Sequence, residues 1–200
     1  LTASGDATCA VWDLGKKATI TSFRDHGGDV MSVALTESDP NLFVSGSVDC
    51  TAKIWDIRTG EPEITFVGHE SDINAVDFMR SGRAVATGSD DFTLRMFDMR
   101  SLSEVSCFTD GGGGISLGGD DVVNIGGGVS SAAFSSSGKY LFAGYEDDRA
   151  IAWDTTSADP RVHVLQHSQE DANRISCVGV NSDGTAVCTG SWDMMLAIWA

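Results

Sequence analysis

Apolar residues fall in short runs along the chain, and glycines or turn-forming clusters interrupt every window long enough for a helix. Four runs, Val30 to Leu35, Ile73 to Phe78, Val129 to Phe134 and Ile175 to Val180, are almost continuously apolar, the pattern of strands covered on both faces. In the second unit the apolar run leads into a series of turns and shorter strands. Ser38-Asp39-Pro40-Asn41 makes a turn, Leu42 to Ser45 a strand, Gly46 to Asp49 a tight turn and Thr51 to Trp55 a third strand. Asp56 to Gly60 turns again, and Glu63 to Phe66 is a more polar outer strand. Later units keep this order. Their first turns, Arg80-Ser81-Gly82-Arg83, Ser136-Ser137-Gly138-Lys139 and Ser182-Asp183-Gly184-Thr185, place glycine where a positive φ carries little cost. The pattern predicts an all-β chain of small four-stranded sheets whose inner strands are covered on both sides.

The ends of these units are copies of one another. SGSVDCTAKIWD at 45–56 returns as TGSDDFTLRMFD at 87–98, AGYEDDRAIAWD at 143–154 and TGSWDMMLAIWA at 189–200, while SGDATCAVWD at 4–13 opens the chain. Repeats therefore end near residues 13, 56, 98, 154 and 200. Trp12 to Trp55 is 43 residues and Trp55 to Phe97 is 42, the period of WD40 repeats. Phe97 to Trp153 is 56, because a glycine-rich insertion occupies 111–128. Residues 1–200 thus read as a WD40 β-propeller segment of about four to five blades. Membership of that class implies a hydrogen-bonded chain of His, Ser/Thr, Asp and Trp tying the strands of a blade. The matching residues are His26, Ser45, Asp49 and Trp55; His69, Thr87 and Asp91; and Thr189, Asp193 and Trp199. The units containing Phe97, which lacks an indole N–H, and Ala143, which replaces Ser/Thr, are expected to be less well tied.

Composition narrows the functions. A net charge of −16, from 29 acidic and 13 basic residues, disfavours nucleic acid and anionic membranes and favours basic partner segments. Cys9, Cys50, Cys107, Cys177 and Cys188 lie in strand-like stretches without a CxxC pair, which predicts reduced core thiols and no metal site. No GxxxxGK[ST], HExxH or nucleophile elbow occurs, so neither an enzyme nor a cofactor is expected. His163 and His167 have i, i+4 spacing, but on a predicted outer strand and loop, where a paired-ligand site is not expected.

Several strings carry more than the WD40 pattern: GDVMS (28–32), GHESDINAVDF (68–78), TGSDDFTLRMFDMR (87–100), LFAGY (141–145), RISCVGV (174–180) and the terminal TGSWD…IWA. With them the chain resembles the β subunit of heterotrimeric G proteins, and its IWA ending and longer 166–173 segment are similar to plant or protist members. The resemblance implies a seven-bladed propeller of which this chain matches the C-terminal part. It lacks the N-terminal helix that pairs with the γ subunit, so a fragment of a larger product is expected.

The resemblance also implies a function. One propeller face, built from the loops before the inner strand and between the second and third strands, would bind the GDP-loaded α subunit and, once α leaves, effectors. The matching residues are Asp29, Met31, Asp72, Asn74, Asp90 and Trp192. Carboxylates there suit Lys/Arg partners, and an exposed Met and Trp serve as apolar anchors. Each has a plainer reading: Asp90 and Trp192 as solvated turn residues, Asp72 as an acceptor for nearby backbone. Arg174 also matches a family arginine, with a solvated loop residue as the alternative. The γ subunit would supply the membrane anchor, placing the complex in the cytoplasm at the inner face of the plasma membrane. Another WD40 interaction scaffold, resembling a kinase-C receptor or a ubiquitin-ligase substrate receptor, is the alternative. The 111–128 insertion reads either as a flap over the binding face or as a lineage-specific insertion.

Overall fold

The computed structural model describes residues 1–109, 115–116, 122–123, 127–167 and 173–200, and every regular element among them is a strand. β1 (Thr2–Ala3), β2 (Thr8–Asp13) and β3 (Ala18–Arg24) form a three-stranded antiparallel sheet. Three four-stranded meanders come next. The first is β4 (Val30–Leu35), β5 (Leu42–Ser47), β6 (Ala52–Asp56) and β7 (Pro62–Phe66). The second is β8 (Ile73–Phe78), β9 (Ala84–Ser89), β10 (Thr93–Asp98) and β11 (Ser103–Thr109). Within the glycine-rich stretch, β12 (Ile115–Ser116) pairs with β13 (Val122–Val123); the rest of that stretch up to residue 126 lies outside the described residues, and with it the flap reading. The third meander is β14 (Val129–Phe134), β15 (Tyr140–Tyr145), β16 (Arg149–Asp154) and β17 (Arg161–Gln166). A three-stranded sheet of β18 (Ile175–Val180), β19 (Val187–Ser191) and β20 (Leu196–Trp199) closes the order.

The sequence repeat and the sheet are out of phase by one strand. A repeat ending at Trp55-Asp56 begins with β3, which completes the preceding sheet, so each sheet takes its outer strand from the next repeat. Inner strands of successive sheets lie side by side, β4 against β8, β8 against β14 and β14 against β18. Glycine makes this approach possible. A Cβ on Gly46 would sit 2.6 Å from Ile73 Cγ2, one on Gly88 2.3 Å from Val129 Cγ1, and one on Gly144 2.7 Å from Ile175 Cγ2. In each case the notch on the second strand receives the first inner residue of the next sheet. The cores form between neighbours accordingly: Val44, Ile54 and Phe66 pack with Ile73, Val76, Phe78, Val85 and Phe97, and Leu94 and Phe108 pack with Val129, Leu141 and Trp153.

Two expectations are corrected here. Burial peaks on the second and third strands, where β5, β6 and β9 are almost wholly buried, rather than on the inner strands, of which β4 and β18 are mostly half-buried or exposed. The thiols are not uniformly core residues either. Cys9 is buried, with desolvation pushing its pKa up to about 11, but Cys107 and Cys177 are exposed. The glycine turns form as expected, with φ near +70° at Gly82, Gly138 and Gly184. The hairpin between second and third strands spans Ser47 to Thr51, starting one residue and ending two residues beyond the turn read from the sequence. Its fourth residue is left-handed without being glycine: Ala7, Cys50, Phe92, Asp148 and Met194 all have φ between 63° and 73°. Left-handed backbone costs a residue with a Cβ about 1–2 kcal/mol, and the preceding aspartate offsets it. Asp49 Oδ1, for example, accepts the Thr51 N–H at 3.0 Å and the Thr51 hydroxyl at 2.6 Å.

The polar chain inside the first complete sheet runs as expected. His26 Nδ1 meets Asp49 Oδ2 at 2.8 Å, His26 Nε2 meets Ser45 Oγ at 2.7 Å, and Trp55 Nε1 donates to Ser45 Oγ at 2.8 Å. Burial lowers the His26 pKa, so its neutral imidazole carries the chain between carboxylate and hydroxyl. In the second sheet His69 bridges Asp91 and Thr87 at 2.7 and 2.6 Å, and Phe97 replaces the indole by stacking on Phe66 at 4.7 Å. The last sheet holds a member that sequence reading missed. His167 contacts Thr189 Oγ1 at 2.5 Å and Asp193 at 3.3 Å, while Trp199 donates to Thr189 at 2.8 Å. The signal was its place one residue past an outer strand, as with His69 three residues past Phe66; the lengthened 166–173 segment concealed it.

In the third complete sheet Ala143 supplies no hydroxyl, and the buried Trp153 Nε1 has no hydrogen-bond partner among the described residues. The two tryptophans should therefore respond differently to the same substitution. Trp55→Phe should cost about 1–2 kcal/mol more than Trp153→Phe, because both lose the same volume but only the first breaks a buried hydrogen bond. Urea midpoints of the two full-length variants measure the difference; equal costs would mean that the hydroxyl–indole bond contributes nothing.

Candidate functional site

The rim is defined by a backbone bond that recurs in successive sheets. The N–H groups of Val48, Asp90, Glu146 and Trp192 donate to the carbonyls of Asp29, Asp72, Gly128 and Arg174 at 3.0, 3.0, 3.1 and 3.0 Å. Each bond joins the hairpin between second and third strands to the residue just before the inner strand. Those positions therefore lie at the same end of consecutive sheets, and the second residues of the inner strands, including Met31 and Asn74, adjoin them. All six sequence-predicted residues fall on this one rim.

Their individual settings differ. Asp29 is exposed, with a carboxylate oxygen 3.3 Å from where a Cβ on Gly5 would lie. The Asp72 carboxylate is half-buried and takes no hydrogen bond or ion pair among the described residues, so the local-acceptor alternative does not hold. Its charge is felt nearby: desolvation, then the negative charges of Asp72, Asp49 and Asp91, raise the Cys50 thiol pKa. Asn74 is a positioning residue. Its amide donates to Asp90 Oδ1 at 2.5 Å and to the Val129 carbonyl at 3.4 Å, fixing Asp90 against the neighbouring sheet. Gly128 leaves room for that carboxylate, since a Cβ there would be 2.4 Å from Asp90 Oδ1. Met31 and Trp192 are 51% and 67% exposed, large apolar groups standing among acceptors.

The structure adds Val48 and Glu146, which share the recurrent bond, and brings in Arg174, for which the sequence left a family match and a solvated loop residue as alternatives. Arg174 is held rather than free in a loop. It pairs with Glu146 Oε1 at 3.1 Å and lies over the Trp192 ring at 5.7 Å, fixing the indole by a cation–π contact. Repeat alignment alone would have placed these three. Chemically the rim is an acceptor-rich surface with apolar anchors. Among the described residues no group of three His, Cys, Asp or Glu side chains is placed to hold a metal ion.

The chain matches the G protein beta WD-40 repeat family over residues 1–200. It belongs to that family. A guanine nucleotide-binding protein subunit beta from Zea mays is 43% identical over 208 residues, covering 100% of this chain and 52% of the relative. The protein of the same description from Arabidopsis thaliana is 41% identical over 207 residues, with the same coverage. The chain thus spans about half the length of these curated relatives. Family membership makes it a non-catalytic WD40 repeat protein, and its three- and four-stranded sheets are blades of a β-propeller.

Proposed function

We propose that this protein is part of a β subunit that binds a GDP-loaded α subunit and, in its absence, effectors, through the Asp29–Met31–Asp72–Asp90–Trp192 rim. The observation that carries the proposal is the exposure of Met31 and Trp192 on a rim where the Asp29 and Asp72 carboxylates take no hydrogen bond or ion pair among the described residues. A soluble surface has no internal reason to display an indole fixed by an arginine and flanked by acids. A partner with basic side chains and an apolar pocket gives it one. Because one rim accommodates one partner at a time, α occupancy excludes effectors and the exchange acts as the switch. A γ subunit carrying its own lipid would hold the complex at the inner face of the plasma membrane.

The relatives' description as subunits of guanine nucleotide-binding proteins supports this reading over a kinase-C-receptor-like or ubiquitin-ligase scaffold. The experiment is capture of the full-length protein, with its γ subunit, by α loaded with GDP or with a non-hydrolysable GTP analogue. Preferential capture by the GDP form is expected, and equal capture by both would overturn the switch. Trp192→Ala should weaken capture by about 10- to 100-fold and leave the circular-dichroism spectrum unchanged. Asp72→Ala should mainly slow association, and the slowing should shrink at high salt.

A further inference from the structure

Successive sheets are laced along their inner strands by side chains that accept a backbone N–H of the next sheet. Ser32 Oγ of β4 accepts the Val76 N–H of β8 at 3.3 Å, and Ser131 Oγ of β14 accepts the Val178 N–H of β18 at 3.0 Å. These two laces are equivalent: the third inner residue of one sheet to the fourth of the next. Between β8 and β14 the third residue is Ala75, which has no acceptor. The lace there comes from two residues further on. Asp77 Oδ2 accepts the Phe134 N–H at 2.7 Å, while its other oxygen accepts the Phe78 N–H at 2.9 Å. At the position of Asp77 the other inner strands carry Ala34, Ala133 and Gly179. A carboxylate has therefore replaced a hydroxyl in one seam, together with the loss of the serine that would have made the usual bond.

We propose that the seam between β8 and β14 is a proton-operated latch, closed by Asp77 across to Phe134, whereas the neighbouring serine-laced seams are insensitive to pH. The surroundings suit this role. Asp77 lines a cavity of about 210 Å³, together with Leu35, Phe78, Phe134 and Val180 and with uncharged polar side chains such as Ser135 and Asn181. The strands packed against β8, namely β4, β5, β9 and β14, present no titratable group. Glu37 and Arg80, the charged groups lining the same cavity, are paired with each other at 2.7 Å. With no cation bound to it, burial dominates and pushes the Asp77 pKa up to about 6, against the lowering effect of its two N–H bonds.

Linkage sets the direction. A closed seam takes up a proton more readily than an open, hydrated one, so stability from the latch is complete when the carboxyl is neutral and is lost as pH rises through about 6. Mild acidification therefore tightens this seam and leaves its serine-laced neighbours unchanged.

Amide hydrogen exchange on the full-length protein tests this without any variant. Corrected for intrinsic rate, exchange at Phe134 should speed up about tenfold relative to Val76 and Val178 between pH of about 5 and 7.5. Asp77→Asn, which keeps a carbonyl acceptor but no titration, should flatten that difference. Adding Ala75→Ser, which offers a hydroxyl to the Ala132 N–H, should make the seam behave like its neighbours. Exchange at Phe134 that tracks Val76 throughout the range, or an Asp77→Asn profile matching the parent's, would overturn the latch.

Discussion

Replacing Asp91 with alanine is expected to destabilise the protein by about 3–5 kcal/mol, the cost of orphaning the partners of a buried carboxylate. One side chain holds four donors: His69 Nδ1 at 2.7 Å, the Thr93 hydroxyl at 2.6 Å, and the Thr93 and Glu70 N–H groups at 2.9 and 3.1 Å. The His69 side chain is only 1% exposed, so water does not replace the lost acceptor. These bonds outweigh desolvation and hold the Asp91 pKa far below the usual carboxylate range. The equivalent Asp49 sits at about 2, so its contribution is present above pH of about 4 and lost as pH falls toward 2. That acid limb has the opposite sign to the Asp77 effect. Chemical denaturation near pH 7 measures the loss. Asp72→Ala, at a carboxylate without partners, should change stability by less than about 0.5 kcal/mol. A comparable cost for both would mean that the network around Asp91 does not hold the blade.

Gly88→Ala is the second large effect, about 1–3 kcal/mol from overpacking. The added methyl would lie 2.3 Å from Val129 Cγ1 and 2.9 Å from its Cβ, and both residues are fully buried or backbone-locked in paired strands. The clash is between two sheets, which gives it a diagnostic rescue. Val129→Ala removes the struck methyls, so the double variant should regain more than half of what Gly88→Ala lost, a coupling read from a double-mutant cycle in urea. Additive losses would place the damage inside β9 rather than at the junction. The glycine is thus required by its neighbour and not by its own φ, unlike Gly82 or Gly138.

Most of the architecture was legible because the repeat supplies independent copies of one instruction. Four inner strands were read with the bounds they have, since an apolar run ended by a glycine or Pro-Asn turn leaves little freedom of register. Burial was misjudged because it depends on which strand the next sheet covers, a relation between repeats that no single window contains. The candidate rim was visible as a set of positions. Its internal order was not: that Asn74 is spent on Asp90, and Arg174 on Glu146 and Trp192, depends on side-chain directions. His167 was missed because an insertion broke the spacing on which recognition relied. Asp77 was read as one more strand residue, since its meaning comes from the serine that Ala75 does not provide.

The one-strand offset between repeat and sheet makes neighbouring modules hostages of each other. Melting a single repeat strips the outer ladder from the sheet before it and uncovers the glycine notch of that same sheet, so local opening is penalised twice. Tandem duplication or deletion of a whole repeat, cut at the Trp-Asp signature, would leave the sheet at the junction four-stranded but paired to the outer strand of a different repeat. A cut made between sheets would instead keep each outer strand with its own sheet, and for this architecture the genetic unit and the mechanical unit are different objects.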